Sequence, residues 1–214
     1  MSTWLAFDAG SPVTSAAVAR AGSPLAESVG ASRSGPSLLQ QIDDCLQRAA
    51  VVPRDLDGIV VLSGPGSFTG IRVALATALG LRAALAVPVF ALSNLAALAL
   101  QAGPGEPRRC LAMIDALRDE WFVQEFRFDA RGLVAESAPE RLPASALLAP
   151  RGACLAVHRA QAVPPLLAEL SVQRVAALAP GAAAAASAGT LDALLTGELS
   201  ALYLRGFTPR NSGA

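Results

Sequence analysis

Apolar and polar positions along the chain alternate in a way that predicts two successive sets of short strands and helices. The run TWLAFDAG (Thr3–Gly10) ends in Asp-Ala-Gly-Ser-Pro, which predicts a strand and a turn. VTSAAVAR (Val13–Arg20) returns as a second strand, and LAESVGA (Leu25–Ala31) as a third. Gly35-Pro36 then opens a helix, with proline at the first helical position. Leu38, Ile42, Cys45, Leu46 and Ala49 recur at helical spacing before Pro53 stops the pattern. LDGIVVL (Leu56–Leu62) reads as a central strand. A glycine-rich turn follows, then an apolar helix from about Gly70 to Ala86, a strand over Val87–Leu92, and a helix capped by Ser93 that runs to Ala102. Gly103–Pro107 reads as a linker.

The second half restarts in the same way. A strand ends at Asp115, and a turn leads to a returning strand at Trp121–Phe128. Leu133–Ser137 predicts a further strand, Pro143–Leu148 a helix, Cys154–Val157 a strand and Pro164–Leu170 a helix. Val172–Leu178 and an alanine-rich helix over Ala182–Leu195 complete it, with a short disordered tail. The expectation is α/β: two related halves with mixed sheets, 1–103 and 108–214, each opened by a hairpin with an aspartate at its turn, a weak internal repeat of shape more than identity.

Composition removes several chemistries. All 17 basic residues are arginine, matched by 17 acidic residues, so the formal net charge is zero. Without lysine there is no Schiff base, Ser-Lys dyad or P-loop lysine. His158 is the single histidine, so a metal site built on two histidines is excluded within this sequence, and the three cysteines have no Cys-x-x-Cys spacing. They fit a reduced cytoplasmic protein. The first ten residues lack a basic segment, and the most apolar stretch, Val73–Leu92, is broken by Gly80, Arg82 and Pro88, so the reading is cytoplasmic, with no membrane partner.

The loop SGPGSFTGIR (Ser63–Arg72) sits between strand and helix, where phosphate is often held. It fails both familiar motifs. Three residues rather than four separate Gly66 from Gly70, with Ile71 where a P-loop needs lysine. Thr69 stands at the third glycine of a dinucleotide fingerprint. The alternatives are a tight turn without ligand and a loop that offers backbone N–H groups to a nucleotide, with Asp8, Gly10, Gly66 and Gly70 as its candidates. Asp8 could bind a hydrated metal or its own turn; Asp115, Arg118 and Glu120 could form a polar site or a solvated hairpin. A Ser-His hydrolase is disfavoured, because Ser67 directly follows Gly66 and breaks the Gly-x-Ser-x-Gly elbow.

GPGSFTGIR after an apolar strand, DAGS near the start and VPVFALSNLAALA further on resemble the TsaB (YeaZ) family over roughly residues 1–100. IDALRDEWFVQEF and YLR (Tyr203–Arg205) extend the likeness weakly, and SRSGPSLLQ departs from it where the family usually has histidine-serine. The resemblance implies an actin-like ASKHA fold. It implies a non-catalytic assembly subunit for making threonylcarbamoyladenosine on tRNA, beside the anticodon. The catalyst would be a TsaD-like paralogue with its own metal, joined by a TsaE-like ATPase, with tRNA engaged through the complex. It implies no cofactor of its own, and admits ATP or ADP at the partner interface. A small ASKHA ATPase or phosphotransferase using Asp8 and Asp115 is the alternative reading.

The helix after the glycine loop is the most informative segment. Between Arg72 and Arg82 it carries only Val, Ala, Leu, Thr and Gly. Val73, Ala76, Thr77, Gly80 and Ala84 form a small-residue stripe that would let another helix approach closely. The reading is a partner interface on that stripe, extended by Leu39, Ile42 and Leu46 of the preceding helix, and open to a homodimer when the partner is missing.

Overall fold

The computed structural model describes residues 1–30, 35–103, 109–130, 132–191 and 193–202. Residues 104–107 of the expected linker, the YLR motif and the tail lie outside them. The first sheet is built from β1 (Thr3–Asp8), β2 (Thr14–Arg20), β3 (Ser23–Gly30), β4 (Gly58–Leu62) and β5 (Val89–Leu92), in the order β3-β2-β1-β4-β5. Helices α1 (Gly35–Arg48), α2 (Phe68–Leu85) and α3 (Asn94–Ala102) connect or follow these strands. The second sheet holds β6 (Arg109–Leu117), β7 (Glu120–Asp129), β8 (Gly132–Ala135), β9 (Glu140–Pro143), β10 (Ala153–His158) and β11 (Val172–Val175); α4 (Ala179–Ser187) follows. Its order is β11-β10-β6-β7-β8, with β9 also paired to β7.

Read from β3 and from β8, the two sheets have the same plan. Three antiparallel strands lead to two parallel ones, so β1 corresponds to β6, β4 to β10 and β5 to β11. The fold is therefore α/β in two related halves with mixed sheets, as the repeated hairpins predicted.

Strand alternation assigns the faces. Leu5, Phe7, Ile59 and Val61 point to one side of the first sheet, where they pack with Leu38, Ile42 and Cys45 of α1 and Ile71, Ala74 and Ala78 of α2. Ala6, Val60 and Leu62 point to the other side. There they share one core with Ala112, Ile114 and Phe126 of the second sheet. Helices α3 and α4 lie in that shared layer, contributing Leu95, Leu98, Ala182, Ala183 and Ala186. The alanines of α4 let it sit close against β1 and β2 of the opposite half.

The outer face of the second sheet has a different cover. Leu111, Met113, Trp121, Val123, Leu155 and Val157 are closed over by Leu147 and Leu167. Those two leucines come from irregular segments rather than helices. The expected helix at Pro143–Leu148 is a single 3-10 turn, Ala144–Ala146, after the unforeseen strand β9. The expected helix at Pro164–Leu170 is likewise one turn, Pro165–Leu167. Pro164 is held extended by the proline after it, which removes a helical start. The alanine-rich helix begins earlier than expected, at Ala179 with Pro180 in its first turn, and stops at Ser187. Gly189, at φ 72°, turns the chain out of it.

Beyond α4 the chain returns to the first sheet. Thr196 pairs with Ala91 on the free edge of β5, through N–H to O distances of 2.8 and 3.1 Å, and the Leu202 N–H donates to the Ser63 carbonyl at 2.9 Å. Leu194 and Leu195 pack on the shared core, whereas Leu199 and Ala201 pack on the α1–α2 side. The segment thus wraps the sheet edge and blunts it.

Among the described residues, α2 is the one helix long and apolar enough to cross a membrane, with a mean hydropathy of 1.4. In this fold its inner side, Ile71, Ala74, Leu75 and Ala78, is core.

Candidate functional site: the glycine loop and the outer face of its helix

Asp8 ends β1 at the centre of the first sheet and is fully buried. Its Oδ1 accepts the Gly10 N–H at 2.8 Å and the Asn94 side-chain amide at 3.3 Å. Oδ2 is buried without a hydrogen-bond partner. Burial pushes the carboxyl above its usual range, against the pull of hydrogen bonds from Ser11, Gly10 and Asn94.

The glycine loop folds directly onto this turn. The Ser67 N–H donates to the Gly10 carbonyl at 2.8 Å. A methyl group at Gly66 would lie 2.4 Å from the Gly10 carbonyl oxygen, and one at Gly70 would lie 1.8 Å from that of Ala9. Neither glycine has a positive φ, so close backbone contact is their requirement; Gly64, at φ 106°, needs the left-handed region. Asn94 locks the loop from the α3 side. Its Oδ1 accepts the Gly64 N–H at 2.7 Å, and its own N–H donates to the Gly64 carbonyl at 2.7 Å. The Ser67 hydroxyl caps α2 by accepting the Gly70 N–H at 3.4 Å. The loop and the Asp8–Ser11 turn are therefore filled by each other.

The sequence reading named Asp8, Gly10, Gly66 and Gly70, and the structure brings all four together. It missed Asn94, Ser11 and Leu202. Asn94 showed only as the residue after a capping serine, and its partner Asp8 is 86 residues away.

Beyond the loop, α2 presents two different sides. Ala76, Gly80 and Ala84 are exposed, Val73 and Thr77 half-buried, and among the described residues no atom beyond the surrounding turns of its own helix backbone lies within 4 Å of where a Gly80 side chain would start. Leu79 is 43% exposed and Phe68 53%, with the Arg72 guanidinium 3.9 Å over the Phe68 ring. Of the three α1 residues named for the interface, Leu39 is exposed, at 53%. Ile42 and Leu46 correct the sequence reading: one turn apart on the apolar stripe, they face the sheet and belong to the chain's own core.

The second half supplies less chemistry. Asp115 is exposed, and its Oδ1 accepts the Leu117 N–H at 2.7 Å, so it binds its own turn. Glu120 pairs with Arg141 at 3.4 Å. Leu117, Arg118 and Asp119 all have positive φ. His158 is buried, with Nε2 donating to the Ala176 carbonyl at 2.9 Å and Nδ1 accepting the Ala160 N–H at 3.1 Å. Burial holds its pKa down. Both ring nitrogens are engaged, which leaves no general base for a Ser-His mechanism. Among the described residues no three His, Cys, Asp or Glu side chains converge as a metal site.

Comparison with known proteins agrees with this architecture. Residues 31–142, just over half of the chain, match the family model described as TsaD, tRNA N6-adenosine threonylcarbamoyltransferase. A Bacillus subtilis relative named tRNA threonylcarbamoyladenosine biosynthesis protein TsaB is 30% identical over 109 residues, 51% of this chain and 45% of the relative. The Escherichia coli protein of the same name is 31% identical over 97 residues, 45% of this chain and 42% of the relative. The matched segments thus span less than half of these curated relatives. The solved structure of YeaZ from Pseudomonas aeruginosa superposes with a TM-score of 0.76 at 25% identity, covering 95% of this chain and all of that one. A matching family model, relatives in separate bacteria and a shared two-half architecture place the chain in the TsaB/YeaZ family, within the wider tRNA N6-adenosine threonylcarbamoyltransferase family.

Proposed function

We propose that this chain is an assembly subunit for the synthesis of threonylcarbamoyladenosine on tRNA, supporting a TsaD-like catalytic paralogue and carrying out no group transfer itself. The observation that carries this reading is the outer face of α2. Ala76, Gly80, Ala83 and Ala84 are exposed there beside Leu79, Arg72 and Arg82, and the rest of the described chain leaves this stretch open. Small residues allow two helix backbones to approach closely, and such a face gains most from a partner helix. The polar groups at the head of that helix point the same way. The Asp8–Asn94–Gly64 network and the glycine contacts consume the loop in holding α2 in place.

In the same reading the TsaD-like subunit holds the metal and the reacting atoms, a TsaE-like ATPase joins the assembly, and ATP or ADP sits where the two paralogues meet. A homodimer through the same face is the arrangement expected when the paralogue is missing.

The test is Ala84→Glu, with the TsaD-like paralogue of the same organism as partner. A carboxylate buried without a counter-charge costs several kcal/mol, so pull-down of the paralogue should fail while circular dichroism remains that of the parent. The parent chain, added to the paralogue, should raise threonylcarbamoyl transfer to tRNA, and the variant should not. A folded variant that still binds the paralogue, or transfer by the parent chain alone, would refute the proposal.

A further inference from the structure

At the opposite end of the first sheet from the glycine loop, Trp4, Asp57, Pro88, Phe90 and Leu195 line a shallow, solvent-open pocket of about 370 Å³. The Trp4 ring lies over Gly58, where a methyl group would fall 2.4 Å from the indole, so glycine is required for the ring to rest on β4. Across β4, Phe90 meets Trp4 with ring centroids 5.7 Å apart and planes tilted by 34°. Both rings are only half-buried.

Asp57 stands at the rim and is exposed. Its Oδ2 accepts the Thr3 N–H at 2.7 Å, which fixes the carboxylate beside the rings. No described cation pairs with it, although Arg54, three residues away, is present and instead approaches Asp55. An apolar slot walled by two aromatic rings, with one anchored carboxylate at its mouth, is complementary to an organic cation. The ring faces attract the positive group, and the carboxylate takes its N–H donors. An uncharged N–H donor would keep a hydrogen bond to Asp57 but lose the charge attraction and the cation–π contact.

We infer that this slot binds a guanidinium or alkylammonium group, either on a small amine or on an arginine side chain of another polypeptide. The inference is independent of the partner interface on α2, because it uses no residue of that helix or of the glycine loop.

Tryptophan fluorescence reads the site directly. The chain has two tryptophans, and Trp121 is buried in the second sheet, so Trp121→Phe leaves Trp4 as the reporter. Titration of that protein with agmatine should give a saturable change in Trp4 emission. The uncharged analogue butylurea, which keeps N–H donors without the charge, should give a much smaller change at equal concentration. Asp57→Asn keeps an acceptor for the Thr3 N–H and removes the charge, and should weaken agmatine about ten-fold, the scale of one cation–π or carboxylate contact. Phe90→Leu should weaken it as well, measured beside circular dichroism to confirm folding. The peptide acetyl-Gly-Arg-Gly-amide distinguishes the two sources: binding tighter than agmatine assigns the slot to a polypeptide arginine, and weaker binding to a free amine. No saturable change with either cation, an equal response to butylurea, or unchanged affinity in a folded Asp57→Asn protein would overturn the inference.

Discussion

Asp8 is the one carboxylate buried in the core among the described residues. A carboxylate with one oxygen unpaired in the core is disfavoured in its charged form, which is why its pKa is raised. Above the folded-state pKa the cost of burying the charge is present in full; as pH falls through that pKa the group takes up a proton and the cost is relieved. Asp8→Asn removes the buried charge, though its amide nitrogen takes the unpartnered place of Oδ2; it should therefore stabilise the isolated chain at pH 7, and the advantage should shrink towards pH 4. Denaturant melts of both proteins at the two pH values measure this. A variant less stable than the parent at pH 7 would mean that Asp8 is better satisfied than its geometry indicates. Gly70 offers a second test at this scale. A methyl group placed 1.8 Å from the Ala9 carbonyl oxygen forces the loop off the turn, so Gly70→Ala should cost on the order of 3 kcal/mol, despite alanine's better helix propensity.

The same substitution has the opposite expectation about three turns further along the same helix. Gly80 lies mid-helix on the open face of α2, with nothing near its absent side chain. Alanine there should stabilise the isolated chain by about 0.5–1 kcal/mol, because glycine loses more backbone freedom than any other residue in a helix. If the face receives a partner helix, that methyl group would also hold the two backbones apart. Gly80→Ala should thus raise the melting temperature and lower affinity for the TsaD-like paralogue together. Higher stability with unchanged affinity would place the contact elsewhere on the helix.

Elements were legible in the sequence to different degrees, for physical reasons. The amphipathic stripe Leu38–Ile42–Cys45–Leu46 announced α1, and the same periodicity announced its buried face; assigning Ile42 and Leu46 to a partner ignored that α1 needs that stripe for its own sheet. The glycine loop could be recognised as a strand-to-helix turn, but not as a surface filled by Ala9 and Gly10, since that contact joins segments about sixty residues apart. In the second half, short apolar stretches around Pro143 and Pro164 mimic helical starts. Only the adjoining prolines and the space left by β9 decide that each becomes a single turn.

At the scale of the whole molecule, the two halves are joined by exchange of packing elements. The helix following β5 packs on β6 and β10, and the helix following β11 packs on β1 and β2. Beyond α4, the pairing of Thr196 with β5 and of Leu202 with Ser63 makes the first sheet depend on residues far along the chain from it. This dependence could not be read from a division into 1–103 and 108–214, because a polar, glycine-containing run such as Thr196–Gly197–Glu198 has no strand pattern of its own. Thr196→Pro isolates its contribution. Proline removes the N–H that donates to the Ala91 carbonyl, and its ring crowds the reciprocal bond from Ala91. The expected loss is about 1–2 kcal/mol, the scale of one or two backbone hydrogen bonds. Hydrogen exchange locates it: the Ala91 amide, which donates to Thr196, should lose protection first, while β6 and β10 amides in the second sheet keep theirs. Unchanged protection at Ala91 would show that the returning segment rests on the edge of β5 without securing it. Loss spread equally over both sheets would show that the halves open as one cooperative unit.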